Sequence, residues 1–182
     1  MLSMIDQSII EHAKERGFHR QTVERWLRLS FRDQEALFQL TQTLKLGENH
    51  FRDLLDWLEE IALRDGVGLC EVLKGESFVN TLSDPRLGRN DKLKRVKEEL
   101  RRLRFPRLSR IEDEIRRKIR DLKLKPQIQM SVPPGLEGGF LTVQLKATSF
   151  QELKHQLQEV EEALEREEMR EIFALVQGRT IE

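Results

Sequence analysis

One spacing constrains this chain more than any other: Ala13, then Gly17 four places on, then Val23 six further. A helix-turn-helix needs a small residue where its helices touch, a residue tolerant of positive φ at the turn and an apolar plug at the joint. Ile5, Ile9, Ile10 and Ala13 fall at helical spacing before the turn, and Val23, Trp26 and Leu27 do so after it. His19-Arg20-Gln21-Thr22 then opens a second helix with polar side chains outward, where a recognition helix meets base edges and phosphates. Arg20 and Gln21 suit base readout, Arg25 and Arg28 suit phosphates, and Thr22 completes the candidate set. An ordinary helix pair joined by a glycine turn has the same spacing, and His12 and Arg16 stand where such motifs often carry apolar residues.

The charges are sorted along the chain although they sum to zero. Residues 1–85 hold 10 Lys/Arg against 15 Asp/Glu, residues 86–125 hold 17 against 7, and residues 126–182 hold 5 against 10. Such a basic middle either binds nucleic acid or neutralises its own acidic flanks. It coincides with a change of pattern at Ser83-Asp84-Pro85-Arg86-Leu87-Gly88, read as a linker. Three parts follow: a helical domain over 1–85, a basic helical connector over 86–125, and a small unit over 126–182.

Within the first part, Ala36, Leu37, Leu40 and Leu44 form one helical stripe. Phe51, Leu54, Leu55, Leu58, Ile61 and Ala62 form another, opened by Asn49 and stopped at Gly66. The connector reads as two helices with seams Leu93, Val96, Leu100, Leu103 and Ile111, Ile115, Ile119, Leu122. Pro106 separates them, Ser109 and Glu112 open the second as a capping box, and the near-heptad seams predict an antiparallel pair or a short coiled coil. Lys94 and Arg101 belong to the first, more basic helix and are further candidate phosphate contacts.

After Pro126 the period shortens from helix to strand. Ile128, Met130 and Val132 alternate with polar residues, as do Leu141, Val143 and Leu145, around a turn-rich Pro133–Gly139. Ser149 and Glu152 then open a helix with Phe150, Leu153, Leu157, Val160 and Leu164 on one side. The expected fold is mainly α with a C-terminal β-hairpin. A lone hairpin under one helix is marginal, so this unit calls for the rest of the chain or a second copy.

The two ends resemble ParB-type chromosome- and plasmid-partition proteins. AKERGFHRQTVERWLRLS (residues 13–30) follows that family's pattern of Ala, Gly, Ser-Arg, Val and Leu-Arg-Leu, with His19 in place of the usual Ser. IQMSVPPGLEGGFLTVQLKATSFQELKHQLQEV (residues 128–160) is similar to the family's C-terminal strand–turn–strand–helix unit. The resemblance implies DNA binding and a homodimer made by pairing strands and helices, placing Val143, Leu145, Leu153 and Leu157 at the interface. The family's nucleotide-binding box is not found in this sequence, so no CTP chemistry is carried over and no cofactor is expected. The acidic last helix departs from the family's Lys-rich tail, which weakens DNA binding there but not dimerisation.

Nothing in the sequence reads as an active site. The four histidines lack metal-ligand spacing, the glycines at 135–139 lack the Lys and Ser/Thr of a phosphate loop, and Cys70 reads as a small core residue. The N-terminal Met1–Asp6 stretch does not resemble a signal peptide and no run reaches membrane-spanning length, so a cytoplasmic, noncatalytic protein is expected. Partition-like or transcription-regulatory DNA binding is the leading expectation. Its rival is a protein–protein adaptor without nucleic acid, and Trp26 and Trp57 discriminate: burial of Trp26 between helices favours the helix-turn-helix, its exposure in an apolar patch favours the adaptor.

Overall fold

The computed structural model describes residues 3–178, so Met1 and Leu2 of the N-terminal stretch lie outside it. The fold is mainly helical with one antiparallel hairpin near the C-terminus. It divides into two compact units, Met1–Phe105 and Pro106–Glu182, each with its own core.

The first unit contains α1 (Met4–Arg16), α2 (Arg20–Leu27), α3 (Phe31–Leu44), α4 (Glu48–Asp65), α5 (Leu69–Leu73), α6 (Glu76–Ser83) and α7 (Arg89–Arg104). Ser3 and Asp6 close a reciprocal capping box on α1, which ends at Gly17 with φ 69°. Trp26 is fully buried, 4.4 Å from the Phe51 ring by centroids and also against Phe18 and Phe38. Its indole N–H donates to the Gln34 carbonyl at 3.4 Å, while the Gln34 amide donates to the Leu27 carbonyl at 2.9 Å. All six apolar residues expected on α4 are buried. The helix opens at Gly47 rather than Asn49, which lies inside its first turn.

The second unit contains α8 (Pro106–Asp121), β1 (Ile128–Ser131), β2 (Thr142–Leu145), α9 (Phe150–Leu164) and α10 (Glu167–Val176). Ile128 pairs with Leu145 and Met130 with Val143, which puts the four apolar side chains on one face. No second strand lies on the outer edge of β2 among the described residues.

Several expectations are corrected here. The basic connector is not a separate part: Val96 and Leu100 of α7 belong to the first core, while Ile115 and Leu122 of α8 belong to the second. The two seams therefore have different partners, and the predicted antiparallel pairing gives way to α7 on α4 and α6, and α8 on α10. Ser109 and Glu112 are no cap, because Pro106 itself takes the first helical position, where its missing N–H costs nothing. Ser109 is buried inside α8, and Glu112 instead accepts the Gly135 N–H at 2.8 Å.

The acidic tail is two helices, not one. After Leu164 the chain breaks and Arg166 donates to the Leu122 and Asp121 carbonyls at the end of α8, at 2.9 and 3.2 Å. This re-aims α10 so that Met169, Ile172 and Val176 are buried with Ile115 and Leu122. At the start of α9, Ser149 caps as expected, but Glu152 binds the N–H and hydroxyl of Thr148 rather than closing a reciprocal box.

Candidate nucleic-acid interface

The N-terminal end of α2 borders a cleft of about 630 Å³ lined by His19, Arg20, Gln21, Thr22, Arg25, Arg52 and Leu55. The Gly17 turn sets its position and the buried Trp26 fixes the helix beneath it. A Ser at position 19 would cap α2 with its own hydroxyl. His19 makes no such bond, and Glu48 of α4 instead holds the start of the helix from outside. One carboxylate oxygen of Glu48 accepts the His19 N–H at 3.0 Å and the Thr22 hydroxyl at 2.5 Å; the other lies 3.5 Å from His19 Nε2. Burial pushes the Glu48 carboxyl up, but these hydrogen bonds and the charges of His19 and Arg52 hold it below its ordinary value.

The five residues expected on α2 separate into two groups. Arg20 and Gln21 are exposed at the cleft, Arg20 bonded at 2.7 Å to Glu24 one turn away, and Arg28 is exposed at the far end. The Arg20–Glu24 pair lies mostly in solvent and constrains Arg20 little. Thr22 and Arg25 face inward. Thr22 is buried on Glu48, whereas Arg25 reaches across to α4: its guanidinium bonds Glu59 at 3.2 and 2.5 Å and Asp56 at 2.6 Å. Arg25 is therefore a tie between α2 and α4, half-buried at the lining of the cleft.

Arg52 lines the same cleft and was missed from sequence. It shares an α4 face with Glu48, Asp56 and Glu59, an i, i+4, i+8, i+11 series beside the apolar stripe. That series is visible in the sequence; what is not visible is that this face meets α2.

The basic α7 supplies counterions to α4. Lys97 bonds Asp53 at 3.0 Å, Arg104 pairs with Glu60, and both cations lie within about 6 Å of the Trp57 ring centroid. Lys94 is exposed, whereas Arg101 is half-buried. The structure does not bring either into the cleft lining.

In the second unit, Val143, Leu153 and Leu157 are exposed and Leu145 is half-buried. Phe150 and Leu164 extend the exposed stripe along α9, at 77% and 50%. Such a row is costly to leave in water. Cys70 is buried, with its N–H donating to Asp33 at 2.7 Å; burial and the neighbouring carboxylate push the thiol up, away from the reactive thiolate. Among the described residues no group of three or more His, Cys, Asp or Glu is placed to hold a metal ion, and no helix is long and apolar enough to cross a membrane. No family model matches the chain, and neither curated proteins nor solved structures give a significant match.

Proposed function

We propose that this chain is a noncatalytic DNA-binding protein, partition-like or transcription-regulatory, that acts as a cytoplasmic homodimer. The observation that carries this reading is the buried Trp26 locking α1, the Gly17 turn and α2 together while Arg20 and Gln21 stay exposed at one cleft. In this reading Arg20 and Gln21 read base edges, and Arg28 and Arg52 hold phosphates on either side. Dimerisation through β2 and the α9 stripe places two copies of α2 on one duplex, hence two half-sites. The adaptor reading draws on the same stripe, but gives no role to the arginine-lined cleft.

Fluorescence anisotropy with a random-sequence duplex at ~50 and ~200 mM salt tests the proposal. The expected result is roughly micromolar binding at the lower salt that falls at least tenfold at the higher, with a further tenfold loss in Arg20→Glu/Arg28→Glu. Absence of binding at low salt, or unchanged affinity in the charge-reversed variant, overturns it and leaves the adaptor reading.

A further inference from the structure

The face that α2 and α4 share is electrically balanced. Arg20, Arg25, Arg28 and Arg52 stand against Glu24, Glu48, Asp56 and Glu59. The balance is uneven in its geometry. Glu24 pairs with Arg20 from within α2, and Glu48 holds His19 and Thr22 at the start of that helix, so each has a local task. Asp56 and Glu59 instead converge on one guanidinium, whose Nε, Nη1 and Nη2 all donate to carboxylate oxygens. One cation thus carries two anions at the cleft, and Arg25 has three of its N–H donors committed to carboxylates.

We propose that Asp56 and Glu59 are selectivity residues: they hold Arg25 off phosphate and place negative charge beside the cleft, so that sequence-independent DNA affinity stays low. The inference rests on α2 being the recognition helix, and it adds how that helix avoids binding every duplex. Affinity for phosphate alone is carried by counterion release, about 0.9 in the slope of log K against log salt for each phosphate neutralised. Withholding one arginine and adding two carboxylates lowers that indiscriminate term without touching Arg20 and Gln21. Discrimination rises because the background falls.

The test uses four full-length proteins, wild type, Asp56→Asn/Glu59→Gln, Arg25→Gln and the triple variant, each titrated with random duplex across a salt series. Thermal melting followed by circular dichroism identifies the folded variants. The double variant is expected to bind random duplex about tenfold more tightly at low salt, with a slope steeper by about 1. Arg25→Gln alone, which leaves both carboxylates without their cation, is expected to bind more weakly than wild type, and the triple variant to lose the double variant's added slope while binding no more weakly than wild type. A folded double variant with unchanged affinity and slope overturns the inference. So does a folded triple variant that binds tenfold more weakly than wild type, which would mean that Arg25 already holds phosphate; this arm stands even where the double variant does not fold. These failures leave wild-type DNA binding intact. No binding by any of the proteins removes both the inference and the function on which it rests.

Discussion

His12 is 7% exposed between the rings of Phe18 and Phe38, with centroids 6.1 and 5.8 Å away. Its Nδ1 lies 3.1 Å from the Gln42 amide nitrogen. Its Nε2 is buried without a hydrogen-bond partner. Burial first, and then the charge of Arg16, hold the His12 pKa below its ordinary value of 6.5, with Glu15 opposing. The sign follows from linkage. Well above pH 6.5 the ring is neutral in both states and contributes no pH dependence. As the pH falls through about 6.5 the unfolded chain takes up the proton and the folded chain does not, so stability falls until the lower folded pKa is reached. Thermal melting between pH 7.5 and 5.5 is expected to show this loss, and His12→Phe to show a smaller one. Equal slopes would mean that His12 is not the source.

At the scale of the element, Gly17 makes the sharpest prediction. A Cβ there would meet nothing within 4 Å, so the entire penalty for a side chain is the positive φ of 69°. Gly17→Ala should lower unfolding stability by roughly 1–2 kcal/mol, and Gly17→Asn by less, because Asn tolerates the left-handed region. Urea melts check both. The same element shows what the sequence made legible. The Ala13–Gly17–Val23 spacing gave the turn, and the Leu37, Leu40, Leu44 stripe gave the buried face of α3, because each is a local pattern with one period. The partner of each face was not local. Thr22 and Arg25 read as outward polar residues until α4 is set beside them. The connector's two seams looked alike, yet α7 and α8 bury them in different cores. The start of α10 was hidden for a related reason: Glu165, Glu167 and Glu168 continue the charged face of α9. Only the reach of Arg166 to the end of α8 shows why the chain turns.

For the whole molecule, the exposed row on α9 is the strongest unmet demand in the structure. Leu153→Glu/Leu157→Glu would place charge in the proposed dimer interface while leaving the first unit unaltered. Light scattering after gel filtration is expected to report a fall from twice the chain mass to 21.5 kDa. Binding to a random duplex should weaken with it, since a dimer can place two reading helices on one site. A variant that keeps the doubled mass would remove α9 from the interface. The row also has a kinetic consequence. The chain carries no net charge, so two copies approach without long-range repulsion, and joining apolar stripes releases few ions. The proposed self-association would then be governed by how crowded the copies are, whereas the proposed attachment to DNA would be governed by ionic strength. Copies gathered along one stretch of duplex would raise each other's local concentration, and pairing would be fastest where the protein had already accumulated.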